Sequence, residues 1–216
     1  SKGYLAGSAP DESNPLRSPE FYEKHRIDLK LGARVASIDT ARREVRLEDG
    51  TRHPYGALLL ATGAEPAKLK APGSDLPHVH YLRTLADSRA LAGKALPSRR
   101  AVVIGASFIG LEVAAWLRTR DVSVHVVAPE TVPMEKILGP EVGTFLRKLH
   151  ERHGVTFHLG HTAASIHERG VTLQSGERIR ADLVVVGIGV RPAIALAEQA
   201  GLAIDRGITV DEHLQT

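Results

Sequence analysis

Apolar residues follow two patterns along this chain, short β-branched runs and longer stripes with a helical repeat. Residues 100–105 (RAVVIG) form such a run, which is typical of a parallel strand buried on both faces. Residues 111–119 carry a helical apolar stripe, and residues 122–127 form a second β-branched run. The pattern therefore predicts a strand, a helix and a second strand, which together make a βαβ unit over residues 101–128.

The chain also contains an internal repeat. Residues 32–66 (GARVASIDTARREVRLEDGTRHPYGALLLATGAEP) and residues 160–192 (GHTAASIHERGVTLQSGERIRADLVVVGIGVRP) share a fixed register, in which Gly63 matches Gly189, 126 residues later. Such a repeat indicates two related structural units.

Each copy of the repeat predicts the same elements. A helix ends near His25 or His153, a strand follows, a small antiparallel layer comes next, and a buried strand closes the copy. The predicted strands are residues 27–31, 34–39, 45–48 and 57–61 in the first copy, and residues 155–159, 165–168, 171–174 and 183–187 in the second. The fold class predicted is α/β, with a Rossmann-like NAD(P)-binding domain that combines a parallel sheet with a small antiparallel β-layer.

A βαβ unit precedes the second copy but not the first. The equivalent unit of the first copy would lie before residue 1. We therefore expect the chain to be a fragment of a longer protein with two dinucleotide-binding units. The alternative is a natural chain with one such unit and an added β-layer.

The turn between the predicted strand and helix has the composition of a dinucleotide-binding turn. Its residues are Gly105, Ala106, Ser107, Phe108, Ile109 and Gly110. Gly105 permits a tight turn, Gly110 lets the helix and strand pack closely, and the helix N-terminus offers unpaired N–H groups to a pyrophosphate. Ser107 stands where a second glycine is usual, and our hypothesis is that its hydroxyl donates to a phosphate oxygen. The alternative is a turn that only packs.

The end of the second strand favours NADH over NADPH. An acid at this position binds the ribose 2′-OH of NADH, whereas a basic residue binds the 2′-phosphate of NADPH. Ala128 occupies the expected position, Glu130 lies two residues later and can reach the ribose, and no basic residue follows before Lys136.

Composition argues against several other classes of protein. The net charge of +3 and pI near 9.3 arise from Lys and Arg interspersed with Asp and Glu, which does not favour nucleic-acid binding. No apolar run approaches the roughly 20 residues of a membrane helix. The absence of cysteine excludes thiol chemistry within these residues and is compatible with a cytoplasmic location.

Four histidines lie close together in the sequence, but we predict no metal site. His150 and His153 end a helix, whereas His158 and His161 fall on the next strand and loop. The pattern gives no support for the convergent geometry that a metal site requires.

An ordered set of motifs covers essentially the whole chain. The motifs are SKGYLAG (1–7), LRSPEFYEKHRIDLKLG (16–32), LLLATGAEP (58–66), YLRTLAD (81–87), VVIGASFIGLEVAA (102–115), VVVGIGVRP (184–192) and GLAIDRGITVDEHLQT (201–216). With them the chain resembles the flavoproteins of the pyridine nucleotide-disulfide oxidoreductase superfamily, specifically ferredoxin reductases of oxygenase systems and apoptosis-inducing-factor-like proteins.

The resemblance implies a domain plan and a set of site residues. Residues 81–202 would be an NAD(P)H domain inserted into an FAD domain, of which residues 1–80 and 203–216 would be pieces. Lys2 would lie beside the flavin ring as the catalytic residue, Ala61, Thr62 and Gly63 near FAD, and Val35 near its adenine. Phe108, Ile109 and Glu112 would lie near the nicotinamide, with Gly187, Ile188 and Gly189 as its other wall. Ser107 and Ala128 depart from the family pattern.

The resemblance also implies a function. Hydride would pass from NADH to FAD, and electrons would then pass to a ferredoxin or Rieske-type iron–sulfur partner. The alternatives are an apoptosis-inducing-factor-like redox signalling protein and an NAD(P)H-dependent disulfide reductase. We expect the fragment alone to bind NADH weakly, to retain little or no FAD and to be inactive, and the whole protein is compatible with a homodimer.

Overall fold

The computed structural model describes residues 16–95 and 98–216. Lys2 lies outside the described residues. The chain divides into a larger unit, Pro66–Val190, and a smaller unit made of residues 16–65 and 191–216. The assignment of residues 81–202 to an inserted NAD(P)H domain stays a prediction.

The helices and strands of the described residues are as follows. The helices are α1 (Pro19–Lys24), α2 (Leu85–Ala95), α3 (Phe108–Arg118), α4 (Glu135–Arg152) and α5 (Ala195–Gln199). The strands are β1 (Val35–Asp39), β2 (Glu44–Leu47), β3 (Arg52–Pro54), β4 (Ala64–Pro66), β5 (Val79–Tyr81), β6 (Arg100–Ile104), β7 (Ser123–Ala128), β8 (Val155–Leu159), β9 (Ala163–His167), β10 (Gly170–Leu173), β11 (Arg178–Arg180), β12 (Leu183–Val186) and β13 (Val190–Pro192).

A five-stranded parallel sheet forms the centre of the larger unit. Its strand order is β5-β12-β6-β7-β8, and every neighbouring pair is parallel. The chain runs from β6 to β7 on one side and returns later to β12 on the other side of β6. The order confirms the predicted α/β, Rossmann-like fold, and it places a topological switch point at the carboxyl ends of β6 and β12.

Apolar residues cover both faces of this sheet. On one face, Val103 packs in a buried cluster with α3 residues such as Val113. On the other face, Val102 packs in a second cluster with Ile166 and Val171 of the antiparallel layer. Because successive residues of a strand point to opposite faces, the continuous apolar run of β6 serves both clusters.

The antiparallel layer of the larger unit has the order β11-β10-β9. It confirms the layer predicted for the second copy, with boundaries shifted by one or two residues and a third strand, β11, added.

A histidine pair lies beside the antiparallel layer of the larger unit. His125 Nδ1 and His158 Nε2 are 2.9 Å apart, and His158 Nδ1 lies 3.5 Å from a carboxylate oxygen of Glu177. Burial lowers the pKa of His125, and His158 lowers it further, against an opposing effect of Glu177.

The smaller unit contains the three-stranded antiparallel sheet β1-β2-β3, on which α5 packs. This sheet confirms the antiparallel layer predicted for the first copy. The strands β4 and β13 pair with each other. None of the helices among residues 16–95 and 98–216 combines the length and apolar character required to cross a membrane.

Two strands predicted for the first copy were wrong. Residues 27–31 and 57–61 do not form strands, and Leu59 is 86% exposed. Their counterparts in the second copy, β8 and β12, hydrogen-bond to β7 and β6. Among the described residues no strand pairs with either predicted segment, so their backbone groups have no ladder to join.

Asp182 links the starts of β12 and β6. Its carboxylate accepts hydrogen bonds from the N–H groups of Arg99 (3.2 Å) and Arg100 (3.0 Å), and from the Arg100 guanidinium at 3.0 Å. Burial raises the pKa of Asp182, but these hydrogen bonds together outweigh burial, so the pKa lies below its usual value.

We predict that Asp182→Asn lowers the free energy of unfolding by about 1 kcal/mol at pH 7. Because the pKa of Asp182 is depressed in the folded state, this stabilisation is present above the ordinary pKa of about 3.9 and is lost as pH falls through the folded value. Urea unfolding at pH 7 and pH 3 measures the difference, with exposed Asp75→Asn as the control. Equal stability of wild type and Asp182→Asn at pH 7 would contradict the prediction.

Candidate functional site

A cavity of about 250 Å³ opens at the carboxyl ends of β6, β7 and β12. This is the edge of a parallel sheet at which ligands bind when the strand order reverses. Its lining residues are Gly105, Ala106, Ser107, Pro129, Glu130, Met134, Glu135, Lys136, Ile137, Gly187, Ile188 and Gly189. Sites for drug-sized ligands measure roughly 300–1,000 Å³, so the cavity accommodates part of a dinucleotide.

Two glycines make the turn after β6 possible. Gly105 has a φ of +107°, and a Cβ at this position would overlap the carbonyl group of Gly187. A Cβ at Gly110 would overlap the carbonyl oxygen of Gly105. Each contact is with backbone, which cannot move aside as a flexible side chain can. The two glycines therefore permit the tight turn after β6 and the close packing of α3 on the sheet.

Ser107 is the N-cap of α3. Its hydroxyl accepts a hydrogen bond from Gly110 N (3.3 Å) and donates to the carbonyl oxygen of Gly187 (2.6 Å). Because the hydroxyl hydrogen is bonded to Gly187 in this structure, donation to a phosphate oxygen would require this bond to be exchanged, and the hypothesis stays a prediction. The sequence predicted that the helix begins at residue 111. The Ser107 cap explains why it begins at Phe108 instead.

The first turn of α3 still offers backbone donors to a ligand. Ser107 satisfies the N–H groups of Gly110 and Leu111, through its hydroxyl and its carbonyl oxygen respectively. The N–H groups of Phe108 and Ile109 have no intrahelical acceptor, as in any first helical turn. Together with the helix dipole, they favour an anion at this end of α3.

Backbone hydrogen bonds hold the turn on three sides. Gly105 N donates to Val127 O at 2.8 Å, and Gly187 N donates to Ile104 O at 2.8 Å. Met134 N donates to Ala106 O at 3.2 Å, which ties the segment after β7 to the turn. The cavity is therefore bounded by elements whose positions are fixed relative to one another.

Charged side chains lie on the wall that follows β7. The carboxylate of Glu135 accepts hydrogen bonds from the N–H and the hydroxyl of Thr131, both at 3.0 Å, and these bonds lower its pKa. The carboxylate of Glu130 lies 3.8 Å from the ammonium of Lys136. Ala128 is fully buried in the core, so its side chain does not reach the cavity.

The structure brings seven of the predicted site residues to this cavity. They are Gly105, Ala106, Ser107, Glu130, Gly187, Ile188 and Gly189. Phe108 is exposed on the first turn of α3, Glu112 is exposed one turn later, Ile109 is half-buried and Gly110 is buried. Their contacts with a nucleotide stay predictions.

The residues expected to contact FAD lie in the smaller unit. Val35 is the first residue of β1, and Ala61, Thr62 and Gly63 precede β4. The Thr62 hydroxyl donates to the carbonyl oxygen of Ala193 at 2.6 Å, and its oxygen can still accept a hydrogen bond. The FAD contacts of these residues stay predictions.

Of the wall formed by residues 129–137, the sequence predicted Glu130 alone as a site residue. Pro129, Met134, Glu135 and Ile137 line the cavity, and Met134 adopts a left-handed backbone conformation with φ 58°. Their position in the sequence could have identified these residues as part of the site, because the segment after each parallel strand begins at the same edge of the sheet.

Within residues 16–95 and 98–216, no three His, Cys, Asp or Glu side chains form a group suited to a metal ion.

Comparison with known proteins identifies the family. The model of the pyridine nucleotide-disulphide oxidoreductase family matches residues 1–216, and the chain belongs to this family. It is 43% identical to rhodocoxin reductase of Rhodococcus erythropolis over 100% of this chain and 52% of that protein.

Solved structures are similar throughout the chain. The ferredoxin reductase for the CYP199A2 system of Rhodopseudomonas palustris superposes with a TM-score of 0.94 at 38% identity, over 98% of this chain and 54% of that one. Putidaredoxin reductase, in its covalent complex with putidaredoxin, superposes with a TM-score of 0.93 at 36% identity, over 99% and 54% respectively. The chain thus spans about half the length of these relatives.

We predict that Gly105→Ala abolishes or strongly weakens NADH binding. The added Cβ would overlap the Gly187 carbonyl group in a backbone conformation that strains any L side chain. We expect the Kd for NADH to rise about tenfold or more, as measured by titration calorimetry, with circular dichroism to confirm folding.

Gly93→Ala is the matched control for this substitution. Gly93 lies in α2 of the same unit, and a Cβ there meets no atom within 4 Å. This variant should bind NADH like the wild type. A folded Gly105→Ala variant with an unchanged Kd would show that the turn does not hold the nucleotide.

Proposed function

We propose that this chain is part of an NADH-dependent flavoprotein reductase that delivers electrons to a ferredoxin or Rieske-type iron–sulfur protein. The observation that carries the proposal is the turn at Gly105, closed against Gly187 at the switch point of the parallel sheet. In the same proposal, residues 81–202 form the NAD(P)H domain, and residues 1–80 and 203–216 belong to the FAD domain.

The residues of the larger unit have binding and orienting roles in this function. The N–H groups of Phe108 and Ile109 would bind a phosphate of the pyrophosphate, at the positive end of the α3 dipole. Ser107 keeps α3 against Gly187 through its two hydrogen bonds, and thereby would position these donors. Glu130 would accept a hydrogen bond from the ribose 2′-OH of NADH.

The nicotinamide would lie between α3 and the loop after β12. Phe108 on one side and Gly187, Ile188 and Gly189 on the other would form its walls. Phe108 is 55% exposed, so its ring is accessible to a ligand. FAD, when bound, supplies the group that accepts the hydride. The chain's own residues would supply position and electrostatics, and no acid or base is required of them.

The identity of the electron acceptor is supported by relatives. Rhodocoxin reductase, a ferredoxin reductase and a putidaredoxin reductase complexed with putidaredoxin are all similar to this chain over nearly its whole length. We propose an acceptor of the same kind, and a cytoplasmic location, which suits a chain without cysteine.

The whole protein, at its natural length and loaded with FAD, provides the functional test. NADH oxidation is followed at steady state with an oxidised ferredoxin or Rieske-type protein as acceptor and with cytochrome c as the final reporter. We expect cytochrome c reduction to require both NADH and the iron–sulfur protein. Loss of NADH oxidation on Gly105→Ala, but not on Gly93→Ala, would link the activity to the cavity.

Two results would contradict this function. One is rapid NADH oxidation that no iron–sulfur acceptor accelerates. The other is NADH-dependent reduction of a disulfide substrate at a higher kcat/KM than that for any such acceptor.

A further inference from the structure

Two half-buried histidines of the parallel sheet, His125 on β7 and His158 on β8, take no part in the proposed function. Val127 packs in the cluster under the antiparallel layer β11-β10-β9, and Phe157 packs on the opposite face of the sheet. Because side chains alternate along a strand, both histidines point towards the antiparallel layer. The 2.9 Å between His125 Nδ1 and His158 Nε2 is a hydrogen-bond distance, so the pair joins β7 and β8 on this face.

Glu177 connects this histidine pair to the antiparallel layer. It lies between β10 and β11, and one of its carboxylate oxygens is 3.5 Å from His158 Nδ1. The backbone carbonyl oxygen of Glu177 accepts the N–H of Leu173 at 2.8 Å, and Leu173 is buried between the layer and the sheet. The side chains of His125, His158 and Glu177 therefore run without a break from β7, through β8, to the layer.

The other charged and titratable side chains on the strands of the layer point away from the histidines. Ile166 on β9 and Ile179 on β11 pack in the core, so the residues next to them lie on the outer surface of the layer. These outward residues are His167, Arg178 and Arg180. Glu168 and Arg169 lie in the turn between β9 and β10, at the opposite end of the layer from Glu177.

The sheet and the helix behind it also leave the histidine pair to itself. The Arg100 guanidinium, at the start of β6, is bonded to Asp182 at 3.0 Å. On α4, His150 contacts Phe157 on the opposite face of the sheet. His161 comes after the end of β8, where its N–H bonds to the carbonyl oxygen of Ala128. The charges that act on His125 are those of His158 and Glu177.

The gap between the two imidazoles accommodates one hydrogen. In the neutral pair, one ring donates its N–H and the other accepts. A hydrogen on His158 Nδ1 faces the Glu177 carboxylate, so the carboxylate favours His125 Nδ1 as the donor and His158 Nε2 as the acceptor. One added proton still fits, because a fully protonated His158 donates to both neighbours while His125 keeps its hydrogen on Nε2. A second added proton puts a hydrogen on both facing nitrogens and brings two like charges together, so the contact breaks.

We propose that His125, His158 and Glu177 form a pH-sensitive clamp, which holds the antiparallel layer on the parallel sheet and opens when both imidazoles are protonated. None of the three residues lines the nucleotide cavity, and the clamp does not depend on the proposed function.

The direction of the pH dependence follows from His125. Burial and, next, His158 lower its pKa in the folded protein, against an opposing effect of Glu177. The open form therefore takes up the second proton more readily than the closed form. The stabilisation by the clamp is complete above the ordinary histidine pKa of about 6.5, and it is lost as pH falls through the lower pKa of the folded state.

Amide hydrogen exchange of the whole protein at its natural length, at pH 7.5 and at pH 5, measures the opening of the clamp. After correction for intrinsic exchange rates, we expect the protection factors of residues 163–173 to be about tenfold lower at pH 5, as for the loss of one hydrogen bond to a charged group. Those of β6 should stay unchanged, because the opening is confined to the layer. Unchanged protection of the layer, or an equal fall in β6, would overturn the proposal, since the first shows no opening and the second shows unfolding of the whole unit.

His125→Asn tests whether the histidine pair causes this fall. The amide nitrogen of Asn lies near the position of Nδ1 and can donate to His158, but it does not titrate, so the fall in protection should shrink to less than about twofold. The matched control is His150→Asn, which replaces a half-buried histidine on the opposite face of the sheet and should keep the wild-type fall. A wild-type fall in His125→Asn, or the same loss of pH dependence in His150→Asn, would overturn the proposal.

Glu177→Gln tests the third member of the clamp. Without the carboxylate a protonated His158 is no longer favoured, so the protection of the layer should begin to fall at a higher pH than in the wild type. Glu168→Gln, which removes an exposed carboxylate from the other end of the layer, should leave the pH profile unchanged. A Glu177→Gln profile identical to that of the wild type would remove Glu177 from the clamp and overturn the proposal as stated.

Discussion

The close approach of Gly105 to the carbonyl group of Gly187 is the constraint on which the candidate site depends. It brings the loop after β6 within contact distance of the loop after β12, at the point where the strand order of the parallel sheet reverses. The Ser107 hydroxyl bridges the same gap by bonding to both α3 and Gly187. Without two glycines in the turn, the backbone could not close, and the helix N-terminus could not face the cavity.

Most of the larger unit could be predicted from local pattern. The β-branched runs of β6, β7 and β12 are continuous because these strands are covered on both faces. A continuous run of this kind predicts a buried parallel strand from the sequence alone. The repeat allowed the antiparallel layer of each copy to be placed from the other. The glycines of the turn were informative because a Cβ at either position would overlap backbone atoms.

The failures have a common physical origin. Strand formation in residues 27–31 and 57–61 requires neighbouring strands, and a local apolar run does not say whether those neighbours are present. The role of Ser107 depended on the distant carbonyl group of Gly187, which sequence spacing does not locate. The wall formed by residues 129–137 has no motif, and Met134 is tied to the turn through its backbone N–H, a group that every residue except proline offers.

Amide hydrogen exchange with and without NADH tests whether the cavity at the switch point holds the nucleotide. We expect slower exchange on addition of NADH in three segments: residues 105–110, 129–137 and 187–189. The exchange of residues 35–54, which form the sheet of the smaller unit, should not change. Slower exchange confined to the smaller unit, or no change in the three segments at saturating NADH, would show that the nucleotide does not bind in this cavity.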